Sequence, residues 1–133
     1  MNPLVVFDTN TFVSYLFPSQ KITAVKIVVS QISTGIIIPV YSIPIMTEYE
    51  GVLHRPKFHF SDDKIHALLD LVLKNGLYVA PNPTPVYFAD ESDKCFYEAA
   101  VAAGAWLVTG NTRHFPSADF IVGPREWLER TGG

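Results

Sequence analysis

Three carboxylate groups and one amide stand where apolar runs give way to polar residues. Asp8 directly follows Leu4-Val5-Val6-Phe7, and Asp8-Thr9-Asn10-Thr11 is a polar cluster wedged between apolar segments. Glu48 and Glu50 lie in the stretch after Ile36–Val40. Asp90-Glu91-Ser92-Asp93 stands just before an alanine-rich run, and Asn111 follows Trp106-Leu107-Val108 through Thr109-Gly110. If these four connections share one edge of a fold, Asp8, Glu48 and Asp93 repel one another and stay ionised only beside a cation. Oxygen donors without a matching Cys or His set select a hard divalent ion, Mg²⁺ or Mn²⁺. Such an ion polarises a phosphate oxygen and generates hydroxide from bound water.

Each piece also has a plainer role. Asp8 suits a helix N-cap, and Thr9-Asn10-Thr11 suits a turn. Acids at 90–93 complement the dipole of the helix they precede. Two residues apart, Glu48 and Glu50 cannot share a helix face; Glu48 is expected nearer the sheet edge and Glu50 in solvent. Thr109 fits a strand end. Ser92 has no base at a defined spacing, and Cys95, at an apolar helical position, reads as core rather than nucleophile.

Contacts to a polyanion have to come from local basic residues. His54, Arg55, Lys57, His59 and Lys64 are interleaved with Phe58 and Phe60, a mixture that can grip single-stranded RNA by phosphate pairing and base stacking. The alternative is a Pro56 turn with both phenylalanines in the core. Arg113 and His114 lie just beyond Asn111, closer to the expected edge, and are the better candidates for phosphate contact.

The elements that must position these groups alternate strand and helix. Leu4–Phe7 reads as a strand buried on both faces. A short helix after Asp8 carries Phe12, Val13, Tyr15 and Leu16, and a second spans Ile22–Ile32 with Ile22, Val25, Val28, Val29 and Ile32 inward and Gly35 at its stop. Ile36–Val40 is the second strand, with Pro39 expected at its end. Ser42 and Pro44 open a helix through Met46, Tyr49 and Leu53 that ends before Pro56. Ser61-Asp62-Asp63 opens another, with Ile65, Leu68, Leu69, Val72 and Leu73 as its buried stripe and Gly76 closing it. Leu77–Val79, Trp106–Val108 and Phe120–Val122 are further strands. Cys95–Ala103 and Pro124–Arg130 are helices, and Pro81–Pro85 is a surface connection. Strand–helix alternation predicts a three-layer α/β/α sandwich on a mainly parallel five-stranded sheet. No linker or repeat divides residues 1–133, so one domain is expected. In open parallel sheets the ligand site lies beyond the carboxyl ends of the strands, where Asp8 and Asn111 fall.

Composition sets outer limits. Of 133 residues, 48% are hydrophobic and 17% charged, which excludes intrinsic disorder. One cysteine excludes a disulfide scaffold and a cysteine-rich zinc module, as expected in a reducing compartment. The net charge of −3 excludes a uniformly basic nucleic-acid binder. The most apolar window, Ile36–Met46, is broken by prolines and too short for a bilayer, and no secretory leader is visible. A soluble cytoplasmic protein without membrane association is expected.

Taken in order, four stretches resemble the PIN-domain family, in particular the VapC-like ribonuclease toxins of toxin–antitoxin pairs. They are Val5-Val6-Phe7-Asp8-Thr9-Asn10, the glutamate helix leading to Val52-Leu53-His54-Arg55-Pro56-Lys57, Asp90–Phe96, and Leu107-Val108-Thr109-Gly110-Asn111. Pro124–Leu128 resembles the family's closing helix. The resemblance implies an endoribonuclease in which metal-activated water cuts a phosphodiester. It places Asp8, Glu48 and Asp93 on the metal, with Asp90 as a further contributor and Thr9, Asn10 and Thr109 as organisers behind them. It also implies a cognate antitoxin and a homodimer. Many members carry aspartate where this chain has Asn111. An amide oxygen still ligates a hard cation or orients its water, but brings no charge. One metal or two is thus left open, and weaker affinity is expected.

Two other classes compete. A degenerate PIN domain that only binds RNA or protein is motivated by Asn111. A haloacid-dehalogenase-like phosphatase also has aspartate after strand one, but its acid two residues on is here Asn10, which cannot donate that proton.

Overall fold

The computed structural model describes residues 2–132. Among them the chain forms five strands, all parallel, in the order β3-β2-β1-β4-β5. These are β1 (Leu4–Phe7), β2 (Ile38–Tyr41), β3 (Leu77–Tyr78), β4 (Trp106–Val108) and β5 (Ile121–Val122). The helices are α1 (Thr9–Leu16), α2 (Ala24–Ser33), α3 (Ile43–Leu53), α4 (Asp62–Asn75), α5 (Lys94–Ala103) and α6 (Pro124–Thr131).

Successive strand residues face opposite sides of a sheet. Val5, Val6 and Phe7 are all buried, as are Leu107 and Val108, so both faces of the central strands are covered by helices. This is the three-layer α/β/α arrangement expected from the continuous apolar runs. Helix α5 packs on β1, β2 and β4, and its Ala99 and Ala100 allow the close approach. On α6, the buried Trp127 donates from Nε1 to the buried Gln31 Oε1 of α2 at 3.0 Å, which satisfies two polar groups that burial would otherwise penalise.

Register carries the functional consequence. Val5, Val6 and Phe7 pair with Trp106, Leu107 and Val108, so β1 and β4 end level. The chain winds from β1 outward through β2 and β3, then returns to β4 and β5 on the other side. β1 and β4 therefore flank the switch point of the topology, where a crevice opens at the strands' carboxyl ends. Asp8 and Thr109 are the first residues beyond it.

Caps hold the helices where the sequence indicates. Ser42 accepts from Ile45 N–H at 3.3 Å and Ser61 from Lys64 N–H at 3.3 Å. Four local expectations are corrected. Ile22 lies outside α2 and is 82% exposed, because Thr23 caps the helix one residue later by accepting from Lys26 N–H. Leu73 on α4 is exposed, since the buried stripe of Ile65, Leu68, Leu69 and Val72 already fills the contact face. The second strand begins at Ile38 rather than Ile36. Pro39 is its second residue rather than its last, paired with Val5. Ile38 N–H donates to Pro3 O at 2.9 Å, so the nitrogen at 39 turns toward β3, whose first residue, Leu77, pairs only with Val40. No ladder donor is lost there.

Gly76 precedes β3 for a steric reason. A Cβ at this position would sit 2.8 Å from Pro39 O and close to Val72 O, so a side chain cannot be accommodated between α4 and β2.

Candidate active site

Asp8 is the residue where strand β1 becomes helix α1, at the N-cap position, yet no helix amide donates to its side chain in capping geometry. The carboxylate is instead held from across the switch point. Thr109 Oγ1 donates to Asp8 Oδ2 at 2.7 Å and accepts from Asn111 N–H at 3.0 Å. Thr109 is fully buried and Asp8 nearly so. The side chain thus faces Thr109 across the switch point while the first amides of α1 lie close to it.

Burial pushes the Asp8 carboxyl up; the Thr109 hydroxyl, the nearby amides of Thr9 and Asn10, and His114 pull it partly back. Asp93 shows the same conflict more strongly. It ends a 3₁₀ turn, Glu91–Asp93, that leads into α5, and it is only 8% exposed. Burial first, then repulsion from Asp8, Asp90 and Glu48, raises its carboxyl to about 6, with His114 acting in the opposite sense. His114 Nδ1 lies 3.7 Å from Asp93 Oδ2. Asp8, Glu48 and Asp90 thus all act electrostatically on Asp93, and the four carboxylates come from three parts of the chain.

Glu48 and Glu50 separate as helical geometry requires. Glu48 is half-buried on the side of Asp93 and Cys95, whereas Glu50 is exposed with His54 Nδ1 3.5 Å away. Asp90 caps its own turn: its Oδ1 accepts from Ser92 N–H at 3.0 Å and Ser92 Oγ at 2.7 Å, which holds its carboxyl below the usual range. Asn111 is half-buried, tied through its N–H to the hydroxyl that holds Asp8. Asn10 departs from expectation. Its side chain is exposed and makes no hydrogen bond among the described residues, so only its backbone lies near Asp8.

The basic residues divide. Arg113 and His114 line a recess with Asp90 and Asp93, and Arg55 comes close enough to lower the Asp90 carboxyl. Lys57 points elsewhere, its Nζ 5.1 Å from the Phe58 ring centroid. Phe58 and Phe60 stack on each other at 5.4 Å and pack edge-on against Phe17, so the stretch is a half-buried aromatic turn.

Cys95 is held in its protonated form. Burial first, then Glu48, Glu98 and Asp8, push its thiol up to about 12, and its Sγ lies 3.4 Å from Ser92 O, to which the thiol donates.

Tyr49, expected only as a position along α3, has a role at the site. Its buried hydroxyl donates to Phe7 O at 2.6 Å, fixing the carbonyl immediately before Asp8. Burial first, then Asp8 and Cys95, raise it far above a tyrosine's usual range. The signal available was its place one residue after Glu48; nothing in residue type distinguished it from other apolar helix positions.

Among the described residues no three His, Cys, Asp or Glu side chains stand close enough to chelate an ion. The donor chemistry nevertheless fits a hard divalent cation: the mutually repelling groups are all carboxylates, two of them buried and raised. Thr9 Oγ1, next to Asp8, is buried without a hydrogen-bond partner, a group that ordinarily finds one.

A family model described as a PIN domain matches residues 4–113, from β1 to the turn after β4. No curated protein matches the chain in sequence. No helix among the described residues is long and apolar enough to cross a membrane.

Proposed function

Since the chain belongs to the PIN-domain family, whose members are generally nucleases that use divalent metals, we propose that it is a metal-dependent endoribonuclease with its active site at the carboxyl ends of β1 and β4. The observation that carries this reading is the electrostatic convergence of Asp8 and Asp93. Both carboxyls are nearly buried and raised by that burial, and the charge of Asp8 raises Asp93 further, an arrangement that costs stability unless a cation offsets it.

In this reading Asp8, Glu48 and Asp93 hold Mg²⁺ or Mn²⁺ directly or through water, with Asn111 as a neutral oxygen ligand and Asp90 at the rim. The ion, when bound, polarises the scissile phosphate and lowers the pKa of attacking water. Thr109 keeps Asp8 in one rotamer. Arg113 and Arg55 supply positive charge at the rim and His114 a hydrogen-bonding ring there, where the phosphates on either side of the scissile bond would lie. Lys57 contacts RNA only beyond that rim.

The toxin role, a cognate antitoxin and a homodimer extend the same reading. Co-expression with the adjacent reading frame and sedimentation of the purified protein test them.

A second reading is favoured by one observation, the lack of a ready chelate among the described residues, together with Asn111. In it the crevice binds RNA or a protein without cleaving. Purified protein incubated with RNA and Mn²⁺ decides. Cleavage that is lost with EDTA, in Asp8→Ala and in Asp93→Ala supports the nuclease. Binding without cleavage supports the module, and equal cleavage by both variants would reveal a contaminating enzyme.

A further inference from the structure

The stretch from Pro81 to Asp90 has no regular hydrogen-bonded structure until its last turn, yet it is pinned. Thr84 N–H donates to Glu98 Oε2 at 2.6 Å, and Val86 N–H to Thr84 Oγ1 at 3.2 Å. From Thr84 to Ala89, less and more exposed residues alternate, as in an extended chain lying on a surface. Phe88 is the inward anchor, its ring 5.6 Å from Tyr97 and 5.9 Å from Phe115. Anchoring Phe88 turns Tyr87 outward, where it is 84% exposed.

Aromatic side chains ordinarily bury most of their surface. Here one is held out of the core by a well-fastened neighbour. Tyr87 forms part of the wall of a recess of about 610 Å³, whose other walls include Asp93, Arg113 and His114. That volume lies within the ~300–1,000 Å³ typical of small-ligand sites. The recess therefore joins a carboxylate of the proposed metal edge, a permanent cation and an exposed aromatic ring. Its acidic residues, Asp90 and Asp93, disfavour an anionic group at the centre. A neutral planar group can sit there while its attached phosphate reaches Arg113.

We propose that this recess receives one unpaired RNA base next to the scissile phosphate, stacked on Tyr87, with Arg113 pairing the adjoining phosphate. Stacking of single-stranded bases on aromatic side chains beside a cation is the usual means of gripping an unpaired strand. The inference rests on the nuclease reading and adds to it one base contact, made by Tyr87 beside the scissile phosphate.

The test uses Tyr87→Ala and Tyr87→Trp, whose exposed position leaves folding intact as judged by thermal melting. RNA affinity is measured by fluorescence anisotropy in an Asp8→Asn background that prevents cleavage, and KM and kcat are measured with Mn²⁺ in the otherwise native chain. Tyr87→Ala is expected to weaken binding and raise KM about tenfold with kcat nearly unchanged, and Tyr87→Trp to restore both. Removing the base at a single position of the RNA should weaken binding to the native recess but not to Tyr87→Ala. Unchanged affinity and KM in Tyr87→Ala, or equal sensitivity of both proteins to the abasic position, would overturn the subsite while leaving the nuclease reading intact. Failure of the native chain to cleave or bind any RNA would overturn both.

Discussion

The Thr109 hydroxyl donates a 2.7 Å hydrogen bond to Asp8 Oδ2 across 101 residues of sequence, joining the carboxyl ends of the two strands that flank the sheet's switch point. Through its second interaction, accepting from Asn111 N–H at 3.0 Å, the same hydroxyl also sets the backbone that carries Asn111. One buried side chain thus orients two of the proposed metal-holding residues.

Thr109→Val keeps the volume and removes both bonds. It should destabilise the fold by about 1–2 kcal/mol, because Asp8 Oδ2 loses its buried donor. Without that donor the Asp8 carboxyl rises further, so Mn²⁺ affinity should fall as well. Thermal melting and calorimetric titration read the two effects separately, and Thr109→Ser should recover most of both.

Without metal, the protein should be more stable in mild acid than at neutral pH. Asp93 titrates at about 6 in the fold against an ordinary 3.8. Between these values the folded state binds more protons than the unfolded one, so stability falls as pH rises through the window. The penalty is complete above about 6 and absent below about 4. Asp93→Asn should remove much of the slope and stabilise the metal-free protein at pH 7 by on the order of 2 kcal/mol, as measured by denaturant unfolding in EDTA.

Asn111→Asp restores a charge at the edge where the family commonly has one. It should tighten Mn²⁺ binding severalfold and lower the melting temperature of the metal-free protein, since a further carboxylate joins the repelling set. Unchanged Mn²⁺ affinity would remove Asn111 from the proposed ligands.

Cys95 should be inert. With its thiol pushed up to about 12, it should resist alkylation at pH 8 in the folded protein, and Cys95→Ala should cleave RNA as the native chain does.

The sequence revealed the sheet through its continuous apolar runs, and both Ser-capped helices through residues that signal a helix start. Asp8 was legible because it stands where such a run stops, Asp93 because it stands just before the alanine-rich helix, and Thr109 through the resemblance to the PIN family. Other features depended on distant neighbours. Ile22 matched the helical period but fell before the Thr23 cap, and Leu73 matched a stripe whose face was already full. Asn10 shares its tetrapeptide with Asp8, but its position on α1 turns its side chain to solvent. Tyr49 and Tyr87 were missed because their roles come from tertiary partners: the Phe7 carbonyl for one, and the anchoring of Phe88 for the other.

The central claim is that Asp8 and Asp93 share a divalent cation. An anomalous-difference map from crystals soaked in Mn²⁺ tests it most directly. The account predicts a peak ~2.1 Å from an oxygen of each carboxylate or of a water they both hold, lost in Asp8→Ala. A native protein that cleaves RNA with no peak at this edge, or with its peak elsewhere, would contradict it.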